Sequence, residues 1–218
     1  MRGRTGSLAY GATAALVAIA SWRASAPKPT SGARSPAPAP AAALAHFAID
    51  PAASNLSFEF TQAGARTVGK FKSVSGTLDR ALNGSISNLR VLVAVKSLDT
   101  ADADRDKQLA QKDLFDVAQF PQAIFQSVAA PAPISGNSTR LNGSLTLRNV
   151  TRPVVIPVSV ELPQAGTSAN SVRLRGQVPL KRLDFGVGQG EWKSTEWVAD
   201  EVLVKFDVVY RLTVPHKP

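Results

Sequence analysis

Four aspartates crowd one short stretch, Asp99, Asp102, Asp104 and Asp106, and Asp113 follows. Counted from Asp102, acids fall at positions 1, 3, 5 and 12, the oxygen-ligand spacing of a calcium loop. Position 6 is however Lys107, where such a loop needs glycine for its sharp turn, and Asp113 stands in place of the bidentate glutamate. The plainer chemistry is helix capping, in which an aspartate accepts from free N–H groups at the positive end of the dipole. Arg105 and Asp106 are then available for local ion pairs. A second charged constellation is Arg182-Leu183-Asp184-Phe185-Gly186, preceded by Val150-Thr151-Arg152-Pro153. Arg182 and Asp184, two apart, share one face of a strand and can pair there. Pro153 fixes φ at a strand start, and Gly186, Gly188 and Gly190 mark a loop of permissive backbone.

The usual catalytic side chains are sparse. Cysteine is absent, which removes thiolate chemistry, Cys-ligated zinc and disulfides. The two histidines sit at the margins, at His46 and His216. No G-x-S-x-G elbow, P-loop or dinucleotide fingerprint occurs. A Ser-Lys or paired-carboxylate site stays compatible with the composition, but the expectation is a protein with no catalytic residues, no metal and no cofactor. The net charge of +9 invites a nucleic-acid reading. Residues 44–214 hold 19 of the 25 basic side chains and all 16 acids, interspersed, which leaves a net of +3. Nucleic-acid binders cluster their basic residues, so no nucleic-acid partner is expected.

These residues must be positioned by an architecture that the hydrophobic pattern describes. Arg2 and Arg4, the apolar run Leu8–Ala20 and Ala24-Ser25-Ala26 read as a secretory signal over residues 1–26, too short to span a bilayer that needs about 20 apolar residues. An uncleaved anchor is the alternative. Residues 27–43, rich in Pro, Ala and Ser, read as a flexible spacer. The domain spans 44–214, with a tail at 215–218. Within it, period-two alternation predicts eight strands: Leu56–Phe60, Val68–Leu78, Leu89–Val95, Ala123–Val128, Leu141–Leu147, Val154–Leu162, Val172–Leu180 and Val202–Leu212. Pro157 demotes its strand to an edge or a bulge. Turns fall at Asn83-Gly84 and Gly136-Asn137, and the one helical stretch is Asp102–Leu114. Such an all-β chain suits a closed barrel or a two-sheet sandwich, and periodicity alone does not separate them.

A series of short strings runs in fixed order through the domain: Ser97-Leu98-Asp99-Thr100, Arg105-Asp106 with Leu109, Phe115-Asp116-Val117 leading to Phe120-Pro121, Phe125-Gln126-Ser127, Gly143-Ser144-Leu145-Thr146-Leu147, Val150-Thr151-Arg152-Pro153-Val154, and Arg182 to Gly188. Together they resemble the YceI-like family of small bacterial periplasmic proteins over roughly residues 47–213. The resemblance implies an eight-stranded antiparallel lipocalin-like β-barrel holding a long isoprenoid or other lipid chain. Many members carry histidines near the ends of the first strand, where this chain has Ala53 and Gln62. Gln62-Ala63-Gly64 and Gly190-Glu191-Trp192 with Val198-Ala199-Asp200-Glu201-Val202 resemble a branch linked to cytochrome b561-like membrane proteins.

The candidate lumen residues are Phe58, Phe60, Phe71, Val93, Phe125, Leu145, Phe185 and Phe206, with valines and leucines on the same faces. Composition alone favours their filling a core; the resemblance implies an open apolar tunnel. The expected function is a non-enzymatic periplasmic carrier of an isoprenoid or related lipid, a quinone tail among them. The alternative is an interaction module assisting a membrane electron-transfer protein of the cytochrome b561-like kind, without its own ligand. Trp192 and Trp197 then serve as anchors, or else close one mouth of the barrel. A homodimer is left open.

Overall fold

The computed structural model describes residues 44–81, 84–128, 134–162 and 170–213. The expected signal, spacer and tail, together with Asn83 and His216, lie outside the described residues.

The strands are β1 (Leu44–Ile49), β2 (Asn55–Gln62), β3 (Ala65–Phe71), β4 (Val74–Ala81), β5 (Ile86–Ala94), β6 (Leu98–Asp99), β7 (Gln122–Ser127), β8 (Ser138–Leu147), β9 (Val150–Glu161), β10 (Ser171–Lys181) and β11 (Val198–Leu212). All pairings are antiparallel. β1 and β2 lie end to end along β11, which reaches β2 through Val198–Asp207 and β1 through Tyr210–Leu212. Their respective neighbours, β3 beside β2 and β4 beside β1, follow the same path, so each pair acts as one bent strand. The ring then closes through β5, β7, β8, β9 and β10 back to β11, making an eight-stranded barrel. A ring of this size has an interior just wide enough for side chains or one small ligand.

Several local expectations are corrected. The first strand has an unpredicted lower half, β1. A short 3-10 turn at Pro51–Ala53 interrupts the alternation there, with Asp50 accepting from the Ala52 amide at 3.1 Å. The kink stays attached because the Asp50 amide donates to the Val209 carbonyl and the Val209 amide to the Ser54 hydroxyl. The predicted strand Val68–Leu78 is two strands joined at Lys72-Ser73. The helix, α1, covers only Ala103–Leu109, and the chain then folds back on its end. The Phe115 amide donates to the Leu109 carbonyl and the Val117 amide to Ala110, across a left-handed Asp116 at φ 49°. Capping is as expected, since Asp102 accepts from the amides of Asp104 and Arg105. Asp106 takes another role and accepts from both the amide and the hydroxyl of Thr100. Pro157, by contrast, behaves as expected: it sits inside β9, paired to β8 on one side and unpaired toward β10, so the strand is an edge there.

The outer surface carries charge ladders across strands. Asp207 of β11 accepts from Arg173 Nη2 at 2.6 Å and from Arg175 Nε at 3.1 Å. The Arg173 bonds, then those from Arg175, hold its carboxyl below the usual carboxylate range against a desolvation effect of opposite sign. A lowered folded-state pKa gives stability that is present above the unfolded carboxylate value and lost as pH falls through the folded one. Asp207→Asn is therefore expected to flatten the acid limb of stability against pH in thermal melts from neutrality to strong acid. An unchanged acid limb would contradict this.

Candidate functional site

The inward-facing positions of four adjacent strands show one gradient. On β11, Val208 and Tyr210 are buried while Val202, Val204 and Phe206 are partly open. On β10, Val172 and Leu174 are buried, and Gly176, Val178 and Leu180 are not. β9 repeats this with Val158 and Val160 against Val154 and Ile156, and β8 with Leu141 and Gly143 against Leu145 and Leu147. One half of the barrel is therefore a packed core, with Tyr210 1% exposed and Leu78, Ile86, Val172 and Leu174 equally sealed. In the other half the same residue types line an internal cavity of about 230 Å³.

All eight candidate lumen residues line this cavity, and Arg182 is the one charged residue among the described residues that line it. Phe58 stacks near Phe60 with centroids 6.1 Å apart, and Phe71 lies 5.1 Å from Phe58. Three of the rings lie against glycines of a neighbouring strand. A Cβ at Gly176 would meet the Phe206 ring at 2.6 Å, one at Gly143 the Phe125 ring at 2.7 Å, and one at Gly69 would overlap the Phe58 ring. The missing side chains let these rings lie back on the wall, which keeps bulk out of the lumen. Nothing in the residue types alone pairs each phenylalanine with its glycine on the neighbouring strand.

The cavity end of the barrel is covered by two segments: α1 with the turns that follow it, and the excursion between β10 and β11. Leu114, Phe185 and Val187 form their buried contact, with Leu109, Phe115 and Trp192 against it. Arg148, in the β8–β9 turn, donates to the carbonyls of Leu114 and Gly186 and so ties the two segments together. The amides of Gly188 and Gln189 both donate to the Asp113 carbonyl.

Arg182 organises the second segment, and here an expectation is overturned. Residues Arg182–Phe185 form a 3-10 turn rather than a strand, so Arg182 and Asp184 do not share a face. The Arg182 guanidinium is buried, at 6% exposure. Nε donates to the Ala199 carbonyl, Nη1 to Val187 and Trp192, and Nη2 to Ser194 and Val198, at 2.7–3.1 Å. Burial pushes its pKa down, partly offset by Asp200, yet a guanidinium stays protonated. Gly188, at φ 112°, is required beside it, because a Cβ there would land on Nη1. The backbone carbonyls that satisfy Arg182 leave no trace in residue types. Of the two tryptophans, Trp192 packs on the Phe58–Phe60 and Leu114–Phe185 clusters at the covered end of the barrel, while Trp197 is 70% exposed.

Among the described residues no cluster of three or more His, Cys, Asp or Glu could hold a metal ion. Asp102, the first acid of the calcium-loop spacing, caps α1 and pairs with Arg105 at 3.2 Å.

Barrel, packed floor and capped apolar cavity place the chain among closed eight-stranded antiparallel barrels built around an apolar interior. Residues 47–210 match the YceI-like domain, and the chain belongs to that family. A UPF0312 protein of Pseudomonas syringae pv. tomato is 33% identical over 157 residues, covering 69% of this chain and 76% of that protein. Another, from Pseudomonas aeruginosa, is 34% identical over 125 residues, where the match spans only 62% of the relative. Among solved structures, Burkholderia cenocepacia BcnA is 37% identical with a TM-score of 0.65, covering 74% of this chain and 98% of that one. A polyisoprenoid binding domain from Saccharophagus degradans shares the fold at 17% identity, with a TM-score of 0.62 over 78% of this chain and all of that one.

Proposed function

We propose that this protein is a non-enzymatic carrier, exported to the periplasm, that holds a long-chain isoprenoid or related lipid such as a quinone tail in the capped half of its barrel. One observation carries the reading: a cavity of about 230 Å³ with apolar walls inside an otherwise packed barrel. Native interiors leave few voids larger than a water molecule. At the penalty found for engineered cavities, this one costs on the order of 5 kcal/mol. That is a large share of the 5–15 kcal/mol that typically stabilises a domain. A filled core was open to the same sequence, because the floor is packed with the same valines and leucines. Each CH₂ moved from water into such a lumen contributes about 0.8 kcal/mol, so a chain of a few isoprene units is held firmly without polar contacts. The description of the Saccharophagus relative as a polyisoprenoid binding domain supports the same ligand class, and the family membership favours binding over catalysis. The basic n-region, apolar run and A-x-A site at residues 1–26 support export.

The test is to purify the protein under native conditions, extract it with organic solvent and identify the extract by mass spectrometry. A stoichiometric isoprenoid or long-chain lipid is the expected result. A protein that is empty, and that fails to take up added farnesol, would remove the carrier reading.

A further inference from the structure

The wall of the barrel is unzipped along one seam. β9 and β10 pair only through Val158–Glu161 and Arg173–Gly176. Both strands run on from there toward the capped end, β9 back to Val150 and β10 forward to Lys181, with no pairing between them. On their other sides the same stretches are fully laddered, to β8 and to β11.

The sequence explains the gap. β9 carries Pro153 and Pro157, and β10 carries Pro179. In an antiparallel strand the N–H and C=O groups of alternate residues point to opposite neighbours. The Val160 amide donates on the β8 side, to Asn137, so even-numbered positions of β9 face β8 and odd-numbered ones face β10. The Pro157 carbonyl agrees, since it lies against Gly176 of β10. By the same alternation the β10 residues opposite Ser159 and Glu161, namely Arg175 and Arg173, face β9, and Pro179 continues that odd-numbered series. All three prolines thus remove a donor directed into the seam, where a ladder would otherwise close. A surface hollow lined by Pro157, Ser159, Arg175 and Gln177 marks the fork.

Directly behind the unpaired stretch lie Val154 and Ile156 of β9 and Val178 and Leu180 of β10, all lining the cavity. The floor is sealed by packed side chains and the cap is stitched by Arg148 and Arg182. We propose that the seam between β9 and β10 is a lateral portal, through which a single long apolar chain slips into the lumen and out of it. The proposal rests on the carrier reading. One hydrogen bond reaches across the capped end of the seam, from Arg152 Nε at the start of β9 to the Asp184 carbonyl just after β10, at 3.2 Å. It latches two strands that share no ladder bonds there, so the portal opens by parting side chains rather than by breaking sheet.

Two variants move the portal in opposite directions. Replacing Pro153, Pro157 and Pro179 together with threonine restores the three amide donors directed into the seam, puts the new side chains on the outer surface and leaves the lumen lining untouched. Arg152→Ala removes the latch at an exposed position. The probe is farnesol esterified with a fluorescent anthraniloyl group, and its release into phosphatidylcholine vesicles is followed by stopped flow. The triple variant is expected to slow release at least tenfold with Kd within about threefold of the parent, and Arg152→Ala to speed it several-fold. Unchanged release in both variants, with the parent protein binding the probe, would overturn the portal and leave the carrier standing. A parent protein that binds no probe would overturn both.

Discussion

Replacing Arg182 with methionine is expected to destabilise the protein by about 3–5 kcal/mol, because several buried carbonyls lose their shared charged donor at once. Methionine keeps most of the aliphatic stem that lines the cavity, so lost packing is a small part of the effect. What disappears is the donor fork that holds the carbonyls of Val187, Trp192, Ser194, Val198 and Ala199 on one centre. Each buried carbonyl left without a donor costs about 1–3 kcal/mol. The segment is near the surface and water reaches some of them, so the total stays below the sum. Arg182→Lys keeps the charge but offers three donors from a single atom instead of five in a planar fork. It should recover less than half of the loss. Urea unfolding monitored at the tryptophans reads both variants, and a shift below about 1 kcal/mol for Arg182→Met would contradict this account. Because the same segment covers the cavity, the variant should also lose bound lipid more readily than the parent.

The eight-stranded all-β architecture was legible in the alternation of apolar residues, and so was the set of side chains facing inward. Those features depend on residue type and on a period of two, which any strand displays. β1 was not legible, because the kink at Pro51–Ala53 breaks the period and shifts the pairing from β4 to β3 on one edge. The division of the barrel into a packed half and an open half was equally hidden. Val158 and Ile156 are neighbours of the same chemistry on one face, and only the closing geometry of the ring decides which of them has a partner opposite. Arg182 was visible as a charge, and the natural inference paired it with Asp184. Its real acceptors are main-chain carbonyls, which carry no sequence signal. The prolines of β9 and β10 were visible as breakers, yet Pro157 breaks only one of the two ladders its strand could make. Which one depends on the parity of the pairing, and parity appears only with the register.

The cavity itself gives a second expectation, in which stability and binding move in opposite directions. Val178 lines the cavity, pairs with Val204 of β11 and belongs to none of the packed clusters. Val178→Phe adds a ring where the wall faces empty space. In a filled core such a change is overpacking and costs about 1–3 kcal/mol. Here the added ring finds unoccupied apolar volume and should stabilise the lipid-free protein by about 1–2 kcal/mol, since the extra side-chain area is removed from water. The same ring takes the space a lipid chain needs, so native extraction of the variant should yield a small fraction of the lipid recovered from the parent. Denaturant unfolding of both proteins after delipidation, beside the two extracts, reads the pair of effects. A variant that is less stable and still loaded would mean that the cavity closes in solution and that the lipid is held elsewhere. A variant that is more stable and empty would show that the open half of the barrel is maintained, at a cost in stability, for its occupant.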